Sequence, residues 1–144
     1  MDAFKGLAAK VGFFESAKYP DGTPVAYVAS IQEFGSGKIP PRSFMRTTIA
    51  EQGPEWTKQF GRAAVAIIKG KIEPAAALDQ LGALAAADVK KKITQITSPP
   101  LQEATIAARR NRRADKKTTG KLTKPLVDTG IMLASVTHVV EAPE

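Results

Sequence analysis

The stretch PAAALDQLGALAAADVKKKITQI, residues 74–96, carries the clearest structural signal in this sequence. Its apolar residues recur at intervals of three and four, which places them on one face of an α-helix. We therefore predict a helix over residues 74–96, ended by Pro99 and Pro100, which cannot continue it. The predicted apolar face consists of Leu78, Leu81, Leu84, Ala85, Val89, Ile93 and Ile96.

The preceding segment, residues 54–70, has the same spacing and predicts a second central helix. We expect Trp56 and Phe60 to belong to the core, because both lie on its apolar face. Earlier in the chain, Pro24 suits a first helical position and Gly35 suits a C-terminal cap, so a helix of about ten residues should end at Phe34. Residues 101–113 also have helix-forming composition.

Both ends of the chain predict β-structure. Residues 2–9 are predicted as a short helical arm, and residues 10–18 as a strand, because Val11, Phe13 and Phe14 favour strands. Residues 133–140 alternate apolar and polar side chains and predict another strand. With 144 residues and 43% hydrophobic composition, we expect one domain, 1–144, of the α+β class. Its small antiparallel sheet, made from both chain ends, should pack against two or three helices, with a long extended loop or arm.

The composition restricts the chemistry that the chain can perform. It contains no cysteine and one histidine, His138, so disulfides, cysteine–zinc sites and thiol nucleophiles are excluded and a histidine-based metal site is not expected. Glu33, Glu51 and Glu55 have no paired partner at a fixed spacing. We predict no enzyme activity, no metal or cofactor and no small-molecule substrate, and we expect His138 to be a surface or interface residue.

Two short motifs have known counterparts in catalysis or ligand binding. The triplet Asp128-Thr129-Gly130 matches that of aspartic proteases, which need two such aspartates sharing a proton. The helical middle of this chain does not suit that all-β fold, so we expect Asp128 or Thr129 to shape a turn or cap and Gly130 to adopt an unusual dihedral. Residues 35–38, GSGK, lack the spacing of a phosphate-binding loop and are predicted to be a flexible loop.

The positive charge is concentrated in one segment. The chain carries 21 basic and 14 acidic residues, a formal charge of +7 and a pI near 9.8. Residues 109–124 alone hold eight basic residues and one acid, Asp115, which accounts for the whole surplus. The segment is predicted to be either a solvated connection or an arm that contacts phosphate or an acidic partner. The candidate contact residues are Arg109, Arg110, Arg112, Arg113, Lys116 and Lys117.

A proline-stiffened segment precedes the central helices. Pro40 and Pro41 hold residues 39–42 extended, and Phe44 follows two residues after Arg42. Rigid presentation of an aromatic side chain beside an arginine is typical of interface hot spots.

Two groups of motifs together resemble the tailed-phage virion morphogenesis proteins of the neck and tail-completion type. The N-terminal group comprises residues 11–14 (VGFF), 19–23 (YPDGT), 25–26 (VA), 32–35 (QEFG) and 39–46 (IPPRSFMR). The C-terminal group comprises residues 124–130 (KPLVDTG), 132–133 (ML) and 135–136 (SV).

The resemblance implies a non-enzymatic structural subunit that forms a ring at the phage head–tail junction, as a neck, tail-completion or tail-terminator protein. Its partners would be copies of itself, other neck, connector and tail proteins, and DNA passing through the channel. The subunit-interface residues expected on this basis are Glu33, Phe34, Gly35, Pro40, Pro41, Arg42, Phe44, Met45 and Arg46. A non-specific nucleic-acid-binding module that uses residues 109–124 is the alternative.

The sequence also bears on location. No stretch approaches the roughly 20 apolar residues of a membrane helix, and residues 1–6, MDAFKG, lack the features of a signal peptide. We expect a soluble protein, made in the host cytoplasm and incorporated into the virion, with no membrane partner.

Overall fold

A computed structural model describes residues 6–114, 125–128 and 130–142. These residues form an α+β fold in which a two-stranded antiparallel sheet, from near both chain ends, packs with helices. The predicted fold class is confirmed. The elements are β1 (Ala8–Gly12), α1 (Val25–Phe34), α2 (Met45–Ile68), α3 (Pro74–Gln95), α4 (Glu103–Ala114), α5 (Ile131–Ser135) and β2 (Thr137–Glu141).

Strands β1 and β2 pair along their full length, from Ala8 opposite Glu141 to Gly12 opposite Thr137. The predicted boundaries of the first strand were wrong. It starts at Ala8, so residues 8–9 are not helical, while residues 1–5 of the predicted helical arm lie outside the described part. It ends at Gly12, because the next residues turn: the Ala17 N–H bonds the Phe14 carbonyl at 3.0 Å.

The predicted end of α1 at Phe34 is confirmed, and Gly35 follows it with φ 77°, a dihedral that favours glycine. Pro24, predicted as the first helical residue, is instead the extended N-cap residue, and α1 begins at Val25. Pro74 is the first residue of α3, which ends at Gln95. Helix α4 confirms that residues 101–113, which have helix-forming composition, contain a helix.

Helix α2 begins nine residues earlier than the predicted start at Pro54. Pro54 lies inside the helix, where it supplies no N–H for an intrahelical bond. The apolar face extends back through Ile49 to Met45, and the first turn is capped by a side chain from α1, described below. Tertiary contacts therefore outweigh the local preference of proline for a helix start.

Helix α3 lies at the centre of the fold, in contact with α2, α5 and both strands. Its C-terminal half, including Val89 and Ile93, packs in the buried core. The remaining buried core residues are Val25, Ala29, Phe44, Ala86, Leu126, Met132 and Val136.

The prediction that Trp56 and Phe60 are core residues was wrong. Phe60 is 39% exposed, and Trp56 is half-buried against α3, where its Nε1 donates a hydrogen bond to Asp88 Oδ2 at 2.7 Å. In the described part of the chain, α2 packs mainly on α3, so much of its apolar face is uncovered. Leu84 of α3, also predicted on the buried face, is 37% exposed.

The predicted C-terminal strand, residues 133–140, is also corrected. Residues 131–135 form α5, where the Ala134 N–H bonds the Gly130 carbonyl at 2.9 Å. Strand β2 begins at Thr137, so the alternation of apolar and polar residues identified only the second half of the segment.

Gly82 of α3 lies close against His138 of β2. A Cβ at residue 82 would lie 2.7 Å from His138 Cδ2 and 3.1 Å from His138 Cβ. We expect Gly82→Ala to lower the free energy of unfolding by about 1–3 kcal/mol through overpacking. Gly61→Ala in α2, where an added Cβ meets nothing within 4 Å, should instead stabilise by about 0.5–1 kcal/mol. Urea unfolding of both variants tests this, and equal effects would contradict it.

Candidate subunit-interface site

The loop between α1 and α2, residues 35–44, is the described segment that contains most of the predicted interface residues. We call it the interface loop. It begins with a tight turn in which Ser36 N donates to Ile39 O at 3.0 Å and Ile39 N donates to Ser36 O at 2.8 Å. A Cβ on Gly35 would lie 2.9 Å from Ile39 O and 3.0 Å from Pro41 Cδ. The close approach and the positive φ both require glycine here, so the predicted flexible loop GSGK is instead a defined turn.

The buried carboxylate of Glu33 connects the end of α1 to the start of α2. It accepts hydrogen bonds from Ser43 Oγ at 2.7 Å, from the backbone N–H groups of Met45 at 2.8 Å and Arg46 at 3.1 Å, and from Arg46 Nε at 2.8 Å. The first N–H groups of a helix have no intrahelical partner. Phe44, at the N-cap position, provides no side-chain cap, so Glu33 caps α2 from another helix.

The hydrogen bonds to Glu33 also decide its charge state. Burial alone would raise the pKa of this carboxyl, since desolvation penalises the charged form. The hydrogen bonds from Ser43, Arg46 and the two backbone N–H groups outweigh burial, so the pKa of Glu33 is lowered from 4.5. Glu33 is therefore a carboxylate at neutral pH.

Arg42 holds the other end of the interface loop. Its guanidinium donates from Nε to Pro99 O at 2.8 Å and from Nη2 to Pro100 O at 3.2 Å, while its backbone N–H bonds Gln32 O at 2.6 Å. Burial lowers the pKa of Arg42 from its ordinary value. The loop is thereby attached both to α1 and to the segment that follows α3.

The exposed residues of this region form an apolar surface beside the loop turn. Phe34 is 65% exposed and Ile39 is 41% exposed, and Pro40 and Pro41 are also exposed. The Arg46 guanidinium lies over the Phe34 ring, 4.6 Å from its centroid, which is a cation–π arrangement.

The structure corrects three of the predicted interface residues. Phe44 is 1% exposed and forms an edge-to-face pair with Phe13, at a centroid distance of 6.0 Å. It is part of the core and is not an exposed aromatic anchor. Glu33 and Arg42 are also buried, because their side chains satisfy the backbone groups that shape the loop. Gly35 and Met45 are partly exposed, and Arg46 is exposed.

Helix α4 contains the first part of the predicted basic contact. Arg109 is buried, donates from Nη2 to Pro125 O at 3.0 Å and lies 3.7 Å from Asp128 Oδ1. Arg112 pairs with Asp128 Oδ2 at 2.9 Å. The prediction of Arg109 as an exposed phosphate contact was therefore wrong, since it attaches α4 to residues 125–128. Arg110 is exposed, whereas the Arg113 side chain, Lys116 and Lys117 lie outside the described part.

The unusual dihedral predicted for Gly130 is confirmed. Gly130 adopts φ 81° in the left-handed region directly before α5, while Thr129 lies outside the described residues. Asp128 lines an open cleft of about 350 Å³ together with Tyr19, Asp21 and the two arginines. Burial, followed by the charges of Asp128 and Asp21, raises the pKa of Tyr19. Hydrogen bonds from Thr23 lower the pKa of Asp21.

The other residues considered as catalytic or metal-binding candidates are His138, Glu51 and Glu55, and each has a defined partner. His138 is partly exposed in β2, and its Nε2 lies 2.8 Å from Asp79 Oδ1. Glu51 pairs with Lys92 at 2.5 Å, and Glu55 Oε1 accepts a hydrogen bond from Gln59 at 2.7 Å. Across the described ranges, no three histidine, aspartate or glutamate side chains are grouped so that they could hold a metal ion.

Sequence patterns did not reveal an apolar groove between β1 and α2, with α3 as its floor. It measures about 250 Å³, and its lining includes Val11, Ile49, Trp56 and Leu81. Ile49 is 51% exposed. The apolar face of α2 was the sequence feature that could have indicated this groove. Periodicity identifies such a face but does not show which part of it stays uncovered in the fold.

Comparisons of the chain with protein-family models, curated proteins and solved structures found no match. None of the helices within the described residues is long and apolar enough to cross a membrane.

Proposed function

We propose that this protein is a structural subunit of a tailed-phage virion, forming a homo-oligomeric ring at the head–tail junction. In that role it joins the connector to the tail, as a neck, tail-completion or tail-terminator protein. It acts by binding copies of itself and adjoining virion proteins, and no catalytic step is part of the role.

The observation that carries this proposal is the rigid interface loop. The residues of this region that resemble the phage proteins fall into two sets. The buried set holds the loop in place and comprises Glu33, Arg42 and Phe44. The exposed set lies on the loop and directly before it and comprises Phe34, Ile39, Pro40 and Pro41. A segment ordered before binding loses little conformational entropy when it docks. Repeated heterologous contacts of this kind close into a ring when the rotation between neighbours closes.

Phe34→Ser tests the proposal. We expect the purified wild-type protein to form a ring by light scattering and native mass spectrometry, alone or with connector or tail proteins. Because Phe34 is 65% exposed, the variant should keep within about 0.5 kcal/mol of wild-type stability but assemble less and enter fewer particles. Tyr27→Ser is the matched control, since Tyr27 is 61% exposed on α1 and is not one of the predicted interface residues.

A wild-type protein that stays monomeric with every partner and never enters particles would overturn the proposal. If such a monomer retained DNA in a salt-dependent way, the alternative of a nucleic-acid-binding module would be supported. The described residues favour that alternative less, because Arg109 and Arg112 are already engaged with residues 125–128. Neutralising the exposed Arg110 is the specific test, since this leaves those contacts intact.

A further inference from the structure

A head-to-tail ring needs two different, complementary surfaces on each protomer. The described residues include an apolar surface of each shape. The interface loop presents Ile39, Pro40 and Pro41 on a stiff turn, and the groove between β1 and α2 is concave and apolar. Within one protomer the two are separate, since different residues line them.

The chemistry of the two surfaces is also complementary. The groove contains an aromatic side chain, Trp56, and proline-rich extended segments dock in aromatic-lined grooves. Trp56 is held in place by its hydrogen bond to Asp88. The loop turn carries an exposed cation, Lys38, next to the apolar residues. A carboxylate lies beside Trp56, because Asp88 Oδ2 on α3 accepts the Trp56 hydrogen bond, so the charges are of opposite sign.

We propose that the turn containing Ile39, Pro40 and Pro41 of one copy occupies the groove beside Trp56 of the next copy. This inference rests on the proposed function, because it names the contact from which the ring is built. The prolines pack on Trp56 and Ile49, while Lys38 faces Asp88, which holds Trp56. Each protomer thus donates one loop and receives one.

Cysteine cross-linking provides a direct test, because the natural chain contains no cysteine. In the double variant Ile39→Cys/Ile49→Cys, mild oxidation should give a ladder of covalent oligomers that ends at the ring size. We expect cross-linking about 100-fold faster than in the control pair Ile39→Cys/Ala87→Cys, because thiols at a contact have millimolar effective concentrations. Ala87 is exposed on α3 and does not line the groove.

A mixture of the two single variants distinguishes the proposed contact from a symmetric one. In this mixture each protomer carries a single cysteine, either in the loop or in the groove. Oxidation should therefore give covalent dimers and no larger covalent oligomers. If Ile39→Cys alone forms disulfide dimers as fast as the mixture does, the loops contact each other and the proposal is overturned.

The failure of this inference can be told apart from the failure of the proposed function by measuring the native mass before oxidation. One outcome is a ring of wild-type mass in which Ile39→Cys/Ile49→Cys cross-links no faster than the control pair. This result overturns the loop-in-groove contact but not the proposed ring. A monomeric wild-type protein overturns the proposed function itself. If Ile39→Cys disturbs the ring, Pro40→Cys with Ile49→Cys repeats the measurement, because Pro40 is exposed and is proposed to pack on Ile49, and slow cross-linking there also overturns the contact.

Discussion

Phe44→Ala is expected to lower the free energy of unfolding by about 3–5 kcal/mol, the usual cost of removing a buried aromatic ring. Phe44 is almost completely buried in the core and packs edge to face on Phe13. The deletion therefore loses apolar burial and the aromatic pair, and it leaves a cavity next to the start of α2. A loss of this size is a large part of the stability of an ordinary domain.

Phe34→Ala is the matched control for Phe44→Ala, because it removes the same ring from an exposed position ten residues earlier. It should change stability by about 0.5 kcal/mol or less. The single tryptophan, Trp56, serves as the fluorescent reporter in urea unfolding at one protein concentration. Phe44→Leu, which retains much of the volume, should give an intermediate loss if the alanine variant does not fold. Equal losses for Phe34→Ala and Phe44→Ala would contradict the burial that the structure assigns to these residues.

The contrast between these two phenylalanines shows what local patterns can predict. Proline and glycine signals located α1 and α3, because they act through backbone dihedrals that depend on the local sequence. The same reasoning placed the start of α2 at Pro54 incorrectly. Its cap comes from Glu33, twelve residues before Met45, and periodicity within one segment carries no information about such a contact.

The candidate interface site was likewise predictable where it depends on local sequence and unpredictable where it depends on distant contacts. Pro40 and Pro41 predicted a stiff, extended segment over residues 39–42, whereas residues 35–38, predicted to be flexible, form a turn that requires glycine at Gly35. Which of its residues hold the loop and which are exposed depends on contacts with residues far along the chain, such as those of Arg42 with Pro99 and Pro100. Likewise, the charge density of residues 109–124 did not indicate that Arg109 is buried against Pro125. Which exposed residues contact a neighbouring subunit stays a prediction.

The second large effect concerns Glu33. Replacing it with alanine should cost about 3 kcal/mol, because the change breaks a buried, charge-assisted network and leaves donors of α2 without their acceptor. The backbone N–H groups of Met45 and Arg46 and the Ser43 hydroxyl all donate to this carboxylate. Ser43→Ala, which removes one of these hydrogen bonds, should cost only about 1 kcal/mol.

The charge of Glu33 adds a pH dependence whose sign can be tested. The folded-state pKa of Glu33 is lowered from 4.5, so the native state holds its proton less tightly than the unfolded chain does. The stabilisation is therefore complete above about pH 5 and decreases as the pH falls through the folded-state pKa.

In Glu33→Gln, an isosteric change without a titrating group, this part of the acid destabilisation should be absent. Urea unfolding of both proteins at about pH 7 and about pH 3.5 measures it, and Glu15→Gln, which alters an exposed carboxylate outside the network, controls for general charge effects. A Glu33→Gln protein with wild-type stability at neutral pH and the same loss on acidification would show that this carboxylate does not hold α1 and α2 together, and the rigid interface loop would then lose its main support.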